Sequence, residues 1–440
     1  MKSESTSAIT NRVASSVHST KWIGRQWRAS ALIFALLLML AAFAIPSAQA
    51  QTFTSLYSFK GSPGGSDPAA GLTMDSKGNF YGTTVGGGTG CAGFGGCGTV
   101  FKLAGKTLST LYKFTGSPKD GAEPGFGSLV EDSAGNLYGT TAYGGSGACS
   151  QSGSPDGCGT VFVVSGKKET VLHNFTGQPN DGQTPTAGLV RDSAGNLYGV
   201  TNYGGTGAGA MGAGVLFKID KSGTETVLYN FCTVGECTDG ALPHGGLAID
   251  AKGNLYGTTA FGGTVFAGGT VFKYDTTTGK YTTLYNFCSK TACKDGSDPF
   301  AGLIIDAKGN LYGTTFSGGS FGQGTVFELS ASGKQTVWHS FGAKNDGINP
   351  EGGALFMDTQ GNLYGTTLAG GTSRACQSGC GTVFKVGATH KETVLHSFTK
   401  KKPDGADPVG GLIMDSKGNL YDTTAEGGNF GDGIIFQLTP

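Results

Sequence analysis

Residues 253–259 read Gly-Asn-Leu-Tyr-Gly-Thr-Thr, and the phrase returns six more times: GNFYGTT at Gly78, GNLYGTT at Gly135, Gly309 and Gly361, GNLYGVT at Gly195 and GNLYDTT at Gly418. Successive copies stand 57, 60, 58, 56, 52 and 57 residues apart. Self-similarity at such a period marks a repeat architecture, in which each unit buries its apolar surface only against the next. Glycine, 80 of 440 residues, recurs at fixed places within the repeat, so its abundance reads as turn chemistry rather than as a disordered tract.

Working outward from the phrase, the copy from Asp120 to Phe175 holds four short runs rich in Val, Leu, Thr, Tyr and Phe, bounded by Gly, Asp, Asn, Ser or Pro. They are Ser128–Asp132, Leu137–Thr141, Gly159–Val164 and Thr170–Phe175, termed strands A, B, C and D of one blade. B and C are apolar on consecutive residues, which implies burial on both faces. A four-stranded sheet packed between two neighbours is the blade of a β-propeller; the rival is an open β-solenoid, whose end repeats should look like caps. The termini favour closure. After residue 50 the chain starts with a D-type strand, Thr52–Phe59, and it ends with a C-type strand, Gly433–Leu438. The expectation is therefore an all-β, seven-bladed propeller whose N-terminal strand completes the last blade.

Asp75, Asp132, Asp192, Asp250, Asp306, Asp358 and Asp415 stand three residues before the Gly of each Gly-Asn, a spacing that suits an Asp-shaped A–B hairpin. The Gly after Tyr is expected to admit the next blade. Residues present in every copy read as scaffold, not as catalysts.

The first 50 residues differ from the rest. Lys21, Arg25 and Arg28 precede an apolar run, Ala31–Ile45, followed by Pro46 and Ala48-Gln49-Ala50, the pattern of a secretory signal cleaved after Ala50; an uncleaved membrane anchor is the alternative. Removing them leaves 26 Lys and Arg against 30 Asp and Glu in residues 51–440, a net charge of about −4. That balance offers no basic face for nucleic acid and no polybasic membrane patch. A secreted or periplasmic monomer is expected.

Ten cysteines form five close pairs: Cys91 with Cys97, Cys149 with Cys158, Cys232 with Cys237, Cys288 with Cys293, and Cys376 with Cys380. In an exported chain these read as local disulfides; zinc is the competing reading, but the spacings vary and no histidine lies near.

The residues after position 50 resemble the GloVer tandem-repeat proteins of bacteria, also described as choice-of-anchor repeat proteins. The likeness rests on the GNLYGTT copies with the Gly pairs that follow (Gly144-Gly145, Gly262-Gly263, Gly318-Gly319, Gly370-Gly371), on GTVF at Gly98, Gly159, Gly269, Gly324 and Gly381, and on strands of LYxF type. It implies export and often a C-terminal sorting anchor, and brings no activity with it. This chain stops at Pro440 directly after a strand, which favours release.

In such a blade the D–A and B–C connections emerge on one face. Here they are the long, variable ones and hold all ten cysteines, so binding is expected there. The D–A loops repeat Asp-Gly-x-x-Pro at Asp120, Asp181, Asp239, Asp295, Asp346 and Asp404, read as a turn; extra acids at Asp67, Glu123, Asp298 and Asp407 leave calcium open. Where the repeat breaks, a unique site can form. The residue after that Pro is Ala69, Gly125, Thr186, His244, Phe300, Glu351 and Val409, and His244, Phe300 and Glu351 supply a ring nitrogen, a stacking face and a carboxylate from consecutive blades. Asp422 and Glu426 break the pattern in the last copy, while His173, His339 and His396 take the D-strand slot that elsewhere holds Tyr57, Tyr112, Tyr229 and Tyr285. No nucleophile triad, phosphate loop or HExxH is present. The sequence therefore points to a non-enzymatic module for an extracellular glycan or envelope protein, with no cofactor or metal expected. A carbohydrate-active hydrolase or lyase using Glu351, and a purely structural surface-layer protein, are the alternatives.

Overall fold

The Asp before each Gly-Asn organises a hairpin. Asp75 Oδ1 accepts the backbone N–H groups of Lys77 and Asn79, both at 2.9 Å, while Oδ2 accepts Asn79 Nδ2 (2.7 Å) and the Tyr81 hydroxyl (3.1 Å). The same Asn and Tyr bonds recur at Asp132, Asp192, Asp250, Asp306, Asp358 and Asp415. Gly78 closes the turn at φ +77°, a conformation that suits glycine. The Asn and Tyr of the repeated phrase are thus tied to one carboxylate at the start of every B strand.

These hairpins belong to a computed structural model that describes residues 51–91, 95–149, 156–209, 211–265 and 267–440; the expected signal segment, residues 1–50, lies outside the described residues. Seven four-stranded antiparallel sheets form the blades. In blade 2, strand A is Val130–Glu131, B Leu137–Thr141, C Thr160–Ser165 and D Lys168–Asn174. A is shorter than the five residues expected, because the chain leading into it is crowded at the axis: a Cβ on Gly127 would lie 2.2 Å from the Gly188 nitrogen of blade 3.

Closure is as expected. Thr52–Ser58 runs antiparallel to Ile434–Thr439, with Thr52 opposite Thr439 and Ser58 opposite Ile434, and so becomes the D strand of blade 7 beside Leu420–Thr424 and Ile413–Met414.

Between blades the contact is aromatic. The Phe that ends each D strand meets the C-strand Phe of the next blade edge to face, in the pairs Phe59–Phe101, Phe114–Phe162, Phe175–Phe217, Phe231–Phe272, Phe287–Phe327, Phe341–Phe384 and Phe398–Phe436, at 4.9 to 5.3 Å between centroids. All fourteen rings are at most 1 % exposed. The Gly after Tyr makes room for this, though not by admitting the next blade. A Cβ on Gly139 would stand 2.6 Å from Cζ of Phe162 and 2.8 Å from Leu129, both of its own blade. Threonines add polar ties across the seams: Thr140 Oγ1 donates to the Ala187 carbonyl (2.9 Å) and Thr423 Oγ1 to the Ala70 carbonyl (2.9 Å).

Two substitutions test this packing by urea unfolding. Phe162→Ala should cost about 3–5 kcal/mol through the cavity it leaves. Gly139→Ala should cost about 1–3 kcal/mol through overpacking against the same ring.

Candidate functional site

The D–A and B–C connections do share a face, because they pair with each other in every blade. Gly121 stands opposite Gly144 and Ala122 opposite Tyr143; equivalent ladders join Gly182–Gln183 to Tyr203–Gly204, Gly347–Ile348 to Ala369–Gly370 and Gly405–Ala406 to Glu426–Gly427. Single bridges Ser66–Gly86, Ala241–Phe261 and Ser297–Ser317 do the same in the other three blades. All five expected disulfides are formed on this face, with Cys91–Cys97, Cys149–Cys158 and Cys376–Cys380 in B–C loops and Cys232–Cys237 and Cys288–Cys293 in D–A loops. The large apolar side chains that remain exposed among the described residues, Phe126, Met211, Val234, Val265, Phe321 and Phe430, at 43 to 57 %, all lie in these connections too.

The Asp of Asp-Gly-x-x-Pro is a loop brace. Asp120 Oδ2 accepts the Thr115 N–H (2.8 Å) and the Tyr112 hydroxyl (2.9 Å), and Oδ1 accepts the Gly121 N–H (2.7 Å). Asp181, Asp346 and Asp404 receive His173, His339 and His396 in place of Tyr, at 3.0 to 3.2 Å. The extra acids at Asp67, Glu123 and Asp407 have carboxyls pushed up, first by burial and then by negative neighbours that include Glu426 and one another. They give that sector of the face an acidic character; Glu426 is also paired with Lys400.

At the axis the face opens into a cavity of about 330 Å³ that His244, Phe300 and Glu351 all line, together with Ala69, Val409 and the Gly-rich starts of the A strands. Thr186 and Gly125 do not reach it. Thr186 Oγ1 hydrogen-bonds Asn202 Oδ1 (2.8 Å), and Gly125 lies against Val85. In blade 2 the cavity is reached instead by Phe126, which the sequence reading passed over. Phe126 and Ala69 both stand three residues before the Leu that leads into strand A, but the five-residue spacing from Pro124 to Leu129 recurs from Pro350 to Leu355, where Glu351 still lines the cavity, so spacing alone does not single out Phe126.

Phe300 is held edge to face between His244 (5.3 Å) and Phe316 (5.5 Å). His244 keeps part of its area open to the cavity, yet protein atoms surround it on nearly every side. This desolvation pushes its pKa down, against a hydrogen bond to the Phe300 backbone that favours the charged ring. Glu351 is pushed up by burial alone. The three groups therefore share a cavity, and Glu351 is the one carboxylate among the lining residues. An aromatic face flanked by a neutral imidazole and a carboxyl can stack on and hydrogen-bond a polar ring.

In blade 7, Asp422 occupies the slot where other blades have the Gly after Tyr. It is 0 % exposed, burial drives its carboxyl well above the ordinary range against a weaker favourable contact with the Thr423 backbone, and neither oxygen makes a hydrogen bond of ordinary geometry among the described atoms. Asp422→Gly should therefore raise the unfolding midpoint, with the larger gain at high pH, because a carboxyl raised on folding destabilises most once pH favours its ionised form.

At the seams, Glu169, Glu225 and Glu392 are raised to about 7, first by burial and then by Asp120, Asp181 and Asp346 respectively. Between the ordinary carboxyl range and pH 7 the folded chain holds protons that the unfolded chain has released, so this contribution to stability falls as pH rises through about 7. The A–B hairpin carboxylates act in a separate window: Asp75 is lowered to about 2, where burial is outweighed by hydrogen bonds from Asn79, Lys77 and Tyr81, so its contribution is lost only as pH falls towards that value. In metal-free buffer, Glu169→Gln/Glu225→Gln/Glu392→Gln should flatten the decline in melting temperature between pH 5 and pH 8 seen by scanning calorimetry; an unchanged slope would assign it elsewhere.

Among solved structures, the fold is similar to a gluconolactonase of Xanthomonas campestris (11 % identity over 89 % of this chain and 90 % of that one, TM-score 0.44). It is also similar to PorZ, a surface component of the type-IX secretion system of Porphyromonas gingivalis (14 % identity over 80 % of this chain and 44 % of that one, TM-score 0.42). At these levels neither bears on function. No curated protein matches. The sequence model of the Gloeobacter/Verrucomicrobia repeat matches residues 147–293 and 290–440, more than half of the chain. With the period, the blade plan and that match in agreement, the chain belongs to the Gloeobacter/Verrucomicrobia repeat family.

Proposed function

We propose that the protein is an extracytoplasmic, non-enzymatic binding module that takes the end of an uncharged or amino-bearing envelope glycan at the axial cavity of its stapled face. The observation that carries this reading is a coincidence of place. The five disulfides, the exposed large apolar side chains and the mouth of the cavity all lie on the side formed by the D–A and B–C loops. Disulfides at this density belong to an oxidising compartment, and cross-linked loops on a rigid ring lose little freedom on binding. Phe126 and Phe300 supply stacking surfaces, His244 and Glu351 supply hydrogen bonds, and the acidic sector around Asp67, Glu123 and Asp407 disfavours anionic sugars. The two-carboxylate route of most glycosidases needs a second carboxyl across the scissile bond, and the lining residues offer Glu351 alone, so that route gains no support here.

Titration calorimetry with neutral, amino-bearing and acidic envelope oligosaccharides tests the proposal. Binding of the first two classes, weakened about tenfold or more by Phe300→Ala and by Phe126→Ala, is the expected outcome, about the loss of one stacked ring. Binding indifferent to both changes, or confined to acidic sugars, overturns it.

A further inference from the structure

The D strand of each blade presents one side chain to the loop that follows the D strand of the blade before it, where an Asp brace stands in six seams and Gly64 in the seventh, and that side chain differs round the ring. Leu108 and Tyr57 both pack against one apolar cluster, Tyr281 stacks on Tyr229 at 3.9 Å, Gln335 donates to the Asp295 carbonyl at 3.1 Å, and Phe53 stacks on His396 at 4.1 Å. In the remaining three seams it is a glutamate: Glu169, Glu225 or Glu392. Two of these glutamates face a seam that also carries a histidine. His173, Asp181 and Glu225 each turn one ligand atom to a common point, all within 4.8 Å of one another, and His339, Asp346 and Glu392 do the same.

We propose that these two clusters are sites for a divalent first-row transition ion of the zinc class, one tying blade 2 to blade 3 and the other blade 5 to blade 6. An imidazole nitrogen with two carboxylate oxygens is a donor set for such an ion rather than for calcium, which takes oxygens throughout.

The distances fit. His173 Nε2 lies 3.2 Å from Asp181 Oδ2 and His339 Nε2 3.0 Å from Asp346 Oδ2, close to the roughly 3.3 Å between ligands of a tetrahedral ion with bonds of about 2.0–2.1 Å. A second, independent feature asks for positive charge. Oε1 of Glu225 and Oε1 of Glu392 are buried without a hydrogen-bond partner among the described atoms. A buried carboxylate oxygen with no donor beside another carboxylate is costly unless a proton or a cation sits between them. The Asp in each cluster is itself buried and positioned from behind by backbone, as when Asp181 Oδ1 accepts the Gly182 N–H and Asp346 Oδ1 the Gly347 N–H, which is how a ligating carboxylate is oriented. The histidine side chains keep 20 % and 18 % exposure, leaving a way in from solvent.

The ring contains its own controls. The seam between blades 1 and 2 has the same Asp and Glu, Asp120 and Glu169, but Tyr112 in place of His, and Glu169 Oε1 is likewise without a partner. The seam after blade 6 has His396 and Asp404 but Phe53 in place of Glu.

The experiment is a count of bound zinc in the purified full chain, stripped with chelator, titrated with zinc chloride by calorimetry and checked with cobalt for ligand-field bands. Two ions per chain are expected, with a rise in melting temperature and no comparable response to calcium. His173→Tyr with His339→Tyr, a change the scaffold already accommodates at Tyr112, should abolish both sites while leaving circular dichroism and the calcium-buffer melting temperature near wild type. Tyr112→His should add a third site through Asp120 and Glu169. A wild-type chain that binds no zinc, a double variant that keeps the wild-type count, or a Tyr112→His chain that gains no site overturns the proposal.

Discussion

The edge-to-face phenylalanine pair between one blade's D strand and the next blade's C strand is the contact on which the ring depends. It occurs in each of the seven seams, the closing one included, where Phe398 meets Phe436 and Phe59 meets Phe101 on either side of the blade that joins the two ends of the described chain. A single sheet of this size has two apolar faces and no interior of its own, so stability lies in the seams rather than in the blades. The repeated Gly after Tyr follows from the same contact, since the ring of the C-strand Phe occupies the space where a side chain would stand.

Much of this was legible in the sequence because it rests on local spacing. Strand count, the A–B turn, the closing strand and the cysteine partners all depend on residues close together or on a period that repeats. What escaped depends on the ring. Strand A is short because neighbouring chains meet at the axis, as Gly127 and Gly188 do, and no pattern within one copy reports that crowding. Phe126 enters the cavity where a comparison made at a fixed distance from Pro selects Gly125, and the spacing that displaces it also occurs between Pro350 and Leu355, where Glu351 lines the cavity. The pairing of Glu225 with His173 and Asp181 joins residues in adjacent copies that look unremarkable singly, a Tyr substitute and the start of a D strand. His244, Phe300 and Glu351 stood out because they departed from the repeat, and they do line one cavity.

The molecule therefore uses its symmetry in two ways. Positions that repeat, such as the Asp–Asn–Tyr hairpin and the phenylalanine seam, hold the ring together. Positions equivalent by geometry but free in sequence, at the axial mouth and at the outer seam slot, vary chemically from blade to blade. Asp422 shows what such variation costs when it falls on a packing position: a fully buried carboxyl without a hydrogen bond of ordinary geometry, where glycine would fit.

The closing strand has a consequence for how the chain reaches this state. Thr52–Ser58 finds its partner only at Ile434–Thr439, at the far end of the described chain. The intermediate blades can pair locally as they emerge, but the ring has the long-range contact order of its two ends and stays open until the last blade is made. Until then blade 7 lacks its outermost strand and exposes the Ile434–Thr439 edge, while Phe59 waits without the sheet that carries it. Completion is then a single event that covers that edge and seats the last aromatic pairs together.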